Sequence, residues 1–257
     1  MKTDTPRPIL LKDYRPPSYL IESVSLDVSL HRTRTRVRSR LKVRRNAAVA
    51  RPGPLRLDGE QLELESVRLD GRHLGPRDYT LGEKQLTIAA PPKDAFELEM
   101  VTYCNPDANK ALTGLYLSKG IYCTQCEAQG FRRITYFIDR PDVLATYTVR
   151  IEADRDEAAV LLSNGNPVER GRLHGGARHY AAWRDPHPKP SYLFALVGGN
   201  LASIASDFTT ASGRKVDLRI YVEPGKESRC TWAMESLKRA MKWDEERFGR
   251  EYDLDAF

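Results

Sequence analysis

The residues that could do chemistry are concentrated in one irregular segment, residues 120–143, which reads GIYCTQCEAQGFRRITYFIDRPDV. Aromatic, small and clustered polar residues follow one another there without regular alternation. Long irregular segments carried on a rigid sheet often hold binding residues. We therefore expect the functional side chains of this chain in this segment.

The four cysteines and five histidines do not have the spacing of a metal site. Cys123 and Cys126 form a CxxC pair without a second CxxC or an HxxxH partner, and His174 and His179 lie in a hairpin-like stretch. A structural zinc site needs four ligands. A thioredoxin-type redox pair needs a βαβ pattern, which the sequence lacks. We expect neither site here.

Complete catalytic motifs are also missing. The sequence contains no HExxH, no GxSxG, no Gly-rich phosphate loop and no plausible Ser-His-Asp grouping. On this basis we expect no catalytic residue and no metal ligand within the chain.

The elements that must position residues 120–143 are short strands. From residue 19 to about 199, short alternating runs are separated by turn residues, including Asp70-Gly71 and Asn164-Gly165, which predict hairpin turns. Such strands without intervening helices predict an antiparallel sandwich or saddle. The runs are 23–30, 62–69, 85–88, 96–103, 147–151, 160–162 and 179–183, and the apolar run 191–199 predicts a strand buried on both faces.

The pattern changes after Gly199. Residues 208–210 and 216–222 predict two strands, and a helix is predicted from about Ser228 to Gly249. Its apolar stripe predicts packing in a core, with a groove for a partner helix as the alternative. This strand–strand–helix unit cannot bury both faces of its sheet, so we expect the chain to be truncated. The stripe consists of Cys230, Ala233, Met234, Leu237, Met241 and Phe248.

The net charge of +6 comes from one short run. Eight basic residues and no acidic residue lie between Arg32 and Arg45, and they alternate with apolar or small residues. A period of two predicts a β-strand with one packed and one charged face. We interpret the run as a solvated strand that resists edge pairing. A phosphate-binding stripe is the alternative, although no aromatic residue interrupts the run to stack on a base.

The overall composition is that of a globular chain. Of the 257 residues, 40% are apolar and 30% charged. No stretch approaches the roughly 20 apolar residues that cross a bilayer, and the first residues lack an apolar region behind a basic head. We expect a cytoplasmic protein with free thiols and no membrane partner.

One stretch closely resembles the substrate-amine loop of the bacterial aminopeptidase N family, whose members are zinc metallopeptidases. It consists of residues 124–132 (TQCEAQGFR), Tyr136 and the DRPD of residues 139–142. Several separate matches in the right order make the resemblance specific, and residues 32–112 are the variable part. The other matching stretches are residues 13–17, 162–166, 185–190, 191–196 and 241–249.

The resemblance implies a saddle-like N-terminal β-domain over residues 1–199. Residues 200–257 would be the truncated beginning, two strands and a helix, of a thermolysin-like α/β catalytic domain. In the family, the Glu of the Gln-Cys-Glu motif binds the free α-amine of the substrate, and the Gln lines the pocket for the first side chain. By residue-to-residue match these are Glu127 and Gln125.

The resemblance also implies what should lie elsewhere. The family's GxMEN and HExxH motifs, and the Met beneath the first pocket, would follow Phe257. Zn²⁺ is therefore expected in the full-length protein and not bound to this chain, which we predict to be inactive alone. The implied partners are peptide N-termini and the remainder of the catalytic domain, in a monomer without nucleic acid. The alternatives are a stand-alone β-sandwich binding module and a nucleic-acid binder that uses the arginine strand.

Overall fold

The computed structural model describes residues 10–257, and its mainly β architecture confirms the predicted fold class. The opening residues, from which we expected no leader, lie outside this range. The strands are β1 (Tyr19–Ser29), β2 (Thr35–Arg45), β3 (Leu55–Asp58), β4 (Glu63–Leu69), β5 (Arg72–His73), β6 (Thr80–Leu81), β7 (Gln85–Ile88), β8 (Phe96–Cys104), β9 (Gly114–Ser118), β10 (Ile121–Gln125), β11 (Leu144–Asp154), β12 (Val160–Ser163), β13 (Asn166–Arg172), β14 (Arg178–Pro190), β15 (Leu196–Gly199), β16 (Ala202–Thr209) and β17 (Lys215–Val222). The helices are α1 (Thr231–Phe248) and short 3-10 turns at Leu11–Asp13, Phe131–Arg133, Ser191–Leu193 and Glu227–Cys230.

The largest sheet has eight strands in the order β13-β14-β11-β1-β2-β8-β4-β5. Its neighbours are antiparallel except β1 and β11, which run parallel with Val24 opposite Tyr147. A hairpin cannot join parallel strands, and here the chain forms β2 to β10 before β11 returns beside β1. Two smaller antiparallel sheets, β12-β15-β10-β9 and β3-β7-β6, and the β16–β17 pair complete the strands.

One apolar core is shared by the large sheet and the two smaller sheets. The large sheet contributes the fully buried Leu26, Leu41 and Leu98, while β3 contributes Leu57 and β10 contributes Tyr122. Buried and more exposed residues alternate along β1 and β2, as expected for a sheet with one face in the core and one in water. The large sheet therefore forms a base on which the smaller sheets are fixed.

The arginine strand is β2, and its prediction as a strand with one packed and one charged face is confirmed. Its inward residues Val37, Leu41 and Val43 are buried. Six of the eight basic residues pair with acidic side chains outside the run, five of which lie on other strands of the same sheet. This leaves little unpaired positive charge in the run for a phosphate backbone. The pairs are Arg32–Asp107 (3.4 Å), Arg34–Glu63 (2.6 Å), Arg36–Glu65 (4.0 Å), Arg38–Glu99 (2.6 Å), Arg40–Asp27 (3.3 Å) and Arg44–Glu22 (2.6 Å).

The two predicted hairpin turns have different outcomes. Asp70 and Gly71 have positive φ angles of 48° and 78° and close the β4–β5 hairpin as predicted. The hairpin predicted at Asn164-Gly165 is wrong, because β12 pairs with β15 and β13 pairs with β14, in two different sheets. Gly165 instead allows the chain to cross between sheets, since a Cβ there would collide with the carbonyl oxygen of Arg184.

The single strand predicted over residues 191–199 is also wrong. Ser191–Leu193 is a 3-10 turn, and only Leu196–Gly199 is extended in a sheet. Polar contacts hold the turn: the Asn164 side chain donates to the Leu193 carbonyl (3.1 Å) and accepts from the backbone N–H of Ala195 (2.7 Å). These contacts come from residues distant in sequence, so apolar composition alone predicted the wrong element.

The C-terminal part forms the two strands and the helix that were predicted. Met234 and Met241 of α1 are buried against Val216 and Leu218 of β17, in an apolar cluster separate from the main core. Gly249, with a φ of 62°, caps the helix by donating its N–H to the Glu245 carbonyl (3.0 Å). The boundary at residues 199/200 stays a prediction, which this separate cluster supports.

Two members of the predicted apolar stripe of α1 are not buried. Ala233 is exposed because successive helical side chains turn by about 100°, which directs Ala233 away from the face of Met234. Phe248 is the last residue of the helix and remains 61% exposed. In residues 10–257, no helix is both long and apolar enough to span a membrane.

We expect nitrocellulose filters not to retain DNA or RNA with the purified chain at low salt, because six of the eight basic residues between Arg32 and Arg45 are paired with acidic side chains. A Glu63→Gln, Glu65→Gln, Glu99→Gln variant frees Arg34, Arg36 and Arg38, and should give retention that falls steeply with added salt. Salt-sensitive retention by the unsubstituted chain would show that paired arginines still bind phosphates.

Candidate functional site

The candidate residues lie at the end of the β9–β10 hairpin. Lys119 and Gly120 close this hairpin with positive φ angles, and Gln125, the last residue of β10, pairs with Gly114. On its other edge β10 pairs with β15. The Thr124 hydroxyl strengthens that edge, since it accepts from the backbone N–H of Leu196 (2.8 Å). The segment that follows β10 therefore starts from a strand held on both sides.

Residues 126–130, here called the 126–130 loop, are anchored at both ends. Cys126 and Gly130 are buried, and the Gly130 N–H donates to the Cys126 carbonyl at 2.7 Å. The next residue, Phe131, is buried with its ring centroid 4.9 Å from that of Phe137 and 5.1 Å from that of Phe194. Residues 127–129 between these anchors are exposed. The loop thus presents three residues to solvent from a fixed base.

Gly130 is required by the close approach of the loop to the hairpin. A Cβ at this position would collide with the Gln125 carbonyl oxygen and lie 2.8 Å from the Cα of Cys126 and 2.9 Å from the N of Gly114. Since all three are backbone atoms, the neighbours cannot move aside cheaply. A larger residue at position 130 would therefore push the loop away from β10.

A buried carboxylate lies beneath the loop. Asp139 is 1% exposed, and its Oδ2 accepts from Nε of Arg132 (2.9 Å) and from the Arg132 backbone N–H (3.2 Å). Its Oδ1 accepts from the Ser191 hydroxyl (2.6 Å). Buried charges are tolerated when they are paired and hydrogen-bonded, and Asp139 meets both conditions. It connects the end of the loop to the Ser191–Leu193 turn.

Further acidic groups surround the same arginine. Nη2 of Arg132 lies 3.6 Å from Oδ2 of Asp58, which also accepts from the Asp139 backbone N–H (3.3 Å). Burial raises the pKa of Asp58, while the charge of Arg132 acts in the opposite direction. The neighbouring Arg133 donates to Glu60 (3.1 Å). The Phe131–Arg133 turn is thereby fixed to the segment that follows β3.

The structure brings the two predicted site residues together. Oε1 of Gln125 accepts from the backbone N–H of Glu127 at 3.1 Å, so the Gln125 side chain helps to fix the position of Glu127. The Glu127–Ala128 peptide bond is cis. Glu127 is exposed, and within residues 10–257 its carboxylate forms no ion pair. A free carboxylate on an anchored loop can bind a cation.

Two shallow surface cavities are present, and neither is lined by Gln125 or Glu127. One of about 420 Å³ is lined by residues of β11 and β14, including Thr146 and Asp185. The other, of about 270 Å³, lies between the β8–β9 connection and the Phe131–Arg133 turn and is lined in part by Asn109, Leu115 and Arg133. Glu127 is exposed and lines neither cavity.

Two pairs of residues were considered as ligands in the sequence, Cys123 with Cys126 and His174 with His179. Cys123 and Cys126 are free thiols, and burial raises the pKa of both, which makes them poor nucleophiles and poor ligands. His174 is exposed, while Nε2 of His179 lies 2.6 Å from the Ala158 carbonyl oxygen. In the described part of the chain, no three His, Cys, Asp or Glu residues form a group that could hold a metal ion.

Sequence reasoning missed the residues that support the loop. Asp139 was noted only as part of a motif, and Ser191 and Asp58 were not noted as site residues. The signal available for Asp139 was an acidic residue in an otherwise apolar stretch, YFIDRP, because a charge in such a context needs a partner. Ser191 and Asp58 are far from it in sequence and gave no such signal.

The fold and the loop define the class of protein. Residues 16–193 match the family model described as the Peptidase M1 N-terminal domain, which covers more than half of the chain. The chain therefore belongs to this family, as the resemblance predicted.

The curated relatives are aminopeptidases. Aminopeptidase N of Caulobacter vibrioides is 57% identical over 257 residues, which are all of this chain and 29% of that protein. Aminopeptidase N of Escherichia coli is 46% identical over 99% of this chain and 29% of its own length. The chain thus spans less than a third of the curated relatives that it matches. This favours a part of a longer aminopeptidase over a stand-alone module.

Solved structures show the same fold. Aminopeptidase A of Legionella pneumophila, in complex with aspartic acid, superposes with a TM-score of 0.90 at 38% identity, covering 96% of this chain and 29% of that one. An M1 zinc metallopeptidase of Deinococcus radiodurans bound to a Tyr-Ser-Ala substrate gives a TM-score of 0.77, covering 93% of this chain and 56% of that one. Because the identity is only 16%, this second match supports the fold and nothing further.

The residues that the structure describes do not fit the zinc ion named for the Deinococcus radiodurans protein. Residues 10–257 offer no group of three potential ligands, whereas a catalytic zinc site typically needs three protein ligands. Cys126 is buried and the neighbouring Glu127 is exposed, so these two residues do not form part of a common metal site.

Removing the buried carboxylate should weaken the fold. We expect Asp139→Ala to lower the free energy of unfolding by about 3 kcal/mol, because the Arg132 charge loses its closest partner. Asp142→Ala is the matched control: it removes a more exposed ion pair with Arg140 and should cost less than about 1 kcal/mol. Urea unfolding followed by circular dichroism measures both, and equal losses would show that Asp139 has no special role.

Proposed function

We propose that this chain supplies the α-amine anchor of a zinc-dependent aminopeptidase that removes N-terminal amino acids from peptides. The observation that carries the proposal is the exposed carboxylate of Glu127, which has no ion pair among the described residues and is held on the anchored 126–130 loop. Its role is to bind the ammonium group of the first residue. Gln125 lines part of the pocket for the first side chain.

The chemistry of the reaction requires such a group. An exopeptidase must recognise where a peptide begins, and at neutral pH the distinctive mark of that end is a positive charge. A carboxylate binds an ammonium group through charge-assisted hydrogen bonds. At about 4 Å and an effective dielectric constant near 20, the attraction is roughly 4 kcal/mol before desolvation. Fixing the amine also fixes the scissile carbonyl, which belongs to the same first residue of the substrate.

The contacts of the loop suit this task. Gln125 uses its Oε1 to accept from the Glu127 N–H, so its side-chain NH₂ group stays available for a substrate. Cys126 and Gly130 hold the loop ends, and Asp139 holds the turn that follows. The backbone that carries Glu127 therefore loses little further freedom when substrate binds, which favours affinity.

Hydrolysis belongs to the rest of the longer protein. Residues 1–199 form the N-terminal β-domain, and residues 200–257 form the beginning of a thermolysin-like catalytic domain. The zinc ion and its ligands lie outside this chain, and the chain alone is inactive. The full protein is a cytoplasmic monomer, consistent with the four free cysteines, and its partners are peptide N-termini and the remaining catalytic polypeptide.

Loss of the Glu127 charge should impair substrate binding. The assay uses a chimera in which this chain replaces the matching region of the Caulobacter vibrioides aminopeptidase N, which is 57% identical. We expect Glu127→Gln to raise KM and to lower kcat/KM by about 10- to 100-fold, because a hydrogen bond to a charged group contributes about 1.5–3 kcal/mol. Steady-state kinetics with an alanyl chromogenic substrate measures both constants.

The control for this variant is Glu97→Gln, which removes the same charge from an exposed position on β8. It should leave KM and kcat near those of the unsubstituted chimera. Unchanged kinetics for Glu127→Gln would show that another group holds the amine and would overturn the proposed role.

The isolated chain should not catalyse the reaction. We expect the purified 257-residue chain, with Zn²⁺ added, to release no chromogenic amine from an alanyl substrate above the rate without protein. The reason is that residues 10–257 offer no group of three potential zinc ligands. Release that depends on zinc and disappears with a chelator would contradict the assignment of hydrolysis to the remaining polypeptide.

A further inference from the structure

Helix α1 has aromatic residues on the side opposite its packed face. Met234 and Met241 are buried against β17, whereas Trp232 and Trp243 are 70% and 54% exposed. At about 100° per residue, the two tryptophans point in nearly the same direction, and the two methionines point almost the opposite way. The helix thus has two apolar faces, of which this chain covers one.

The uncovered side carries two contacting pairs, Trp232 with Arg239 and Trp243 with Phe248, which together are here called the aromatic face of α1. The guanidinium of Arg239 lies 5.2 Å from the centroid of the Trp232 ring. The rings of Trp243 and Phe248 are in edge-to-face contact at 5.2 Å, which extends the aromatic face around the C-terminal end of the helix. Tryptophan and arginine are the residues most enriched at the centres of protein interfaces.

The charges of α1 argue against a membrane surface as the occupant. Lys238, Arg239, Lys242 and Arg247 are matched in number by Glu235, Asp244, Glu245 and Glu246. Helices that lie on anionic membranes carry an excess of Lys and Arg on their polar face. A protein surface suits this balanced composition better.

We propose that the aromatic face of α1 is a docking surface for the polypeptide that the aminopeptidase N relatives have beyond the region matched by this chain. The chain covers 29% of the Caulobacter vibrioides protein, so a large part of such a protein is available to cover the face. Asp217 donates its N–H to the Asp255 carbonyl (2.8 Å), and Phe257 donates its N–H to the Asp217 carbonyl (2.9 Å). The backbone after α1 therefore runs along the edge of β17, and it leaves Trp232 and Trp243 exposed.

The docking surface and the role of Glu127 are independent. The proposal rests on family membership and on the exposure of α1, and it stands whether or not Glu127 binds an amine. A second copy of this chain is the competing occupant, and it predicts that protection depends on concentration.

Hydroxyl-radical footprinting with mass spectrometry tests the proposal. Oxidation of Trp232 and Trp243 is compared between the isolated chain and the chimera described above. We expect about tenfold slower oxidation in the chimera, because docked aromatic residues are desolvated. Trp183, which is half-buried and donates to the Leu161 carbonyl, should react equally in both. Equal rates for Trp232 and Trp243 in the two proteins would overturn the proposal, as would protection in the isolated chain that grows with its concentration.

Substitutions give a second test that does not depend on oxidation. Trp232→Ser with Trp243→Ser should lower the Tm of the chimera by several degrees and leave that of the isolated chain nearly unchanged. Leu81→Ser, at an exposed leucine of β6, is the control and should change the Tm of the two proteins equally. An equal loss from the double variant in both proteins would mean that the tryptophans stabilise this chain itself, and the proposal would fail.

Discussion

The buried carboxylate of Asp139 is the constraint on which the rest of the candidate site depends. It receives hydrogen bonds from Arg132 at the end of the loop and from Ser191 in the turn that leads to β15. Strand β15 in turn pairs with β10, the strand that ends at Gln125. These contacts connect the Phe131–Arg133 turn, the Ser191–Leu193 turn, β15 and β10, so a shift of the turn that follows the loop would expose or unpair a buried charge. Because that change is costly, the base of the loop that carries Glu127 depends on these buried groups as well as on Gln125.

Much of the fold could be predicted because its elements are locally determined. Strand β7, Gln85–Ile88, has the predicted bounds, and the Asp70-Gly71 turn has the backbone angles that only its residue types adopt easily. Errors arose where distant segments decided the structure. Asn164-Gly165 has the local signal of a hairpin, but β15 competes for β12 and draws the two flanking strands into different sheets. Alternation along a strand predicts which residues face the core but not which strand lies beside it.

The candidate site likewise has features that the local sequence predicts and features that depend on distant segments. Composition could locate residues 120–143 as the irregular segment, but only the resemblance to a family singled out Glu127, since one exposed glutamate among many has no distinguishing local feature. The hydrogen bond from the Glu127 N–H to Gln125 spans two residues and was within reach of local reasoning. The partners of Asp139 were not, because Ser191 lies 52 residues away in sequence. Support for a site is a property of the tertiary structure.

The exposure of Glu127 is consistent with a site that is completed by another domain. On this chain the carboxylate is hydrated, and in water an ion pair contributes little. If a catalytic domain covers the loop, water is excluded and the same charge attracts an ammonium group more strongly. If Glu127 binds substrate only when the catalytic domain is present, the 126–130 loop must already hold it in place within this chain. The buried Asp139, the close contact at Gly130 and the packed ring of Phe131 support the loop from within this chain, while residues 127–129 remain exposed.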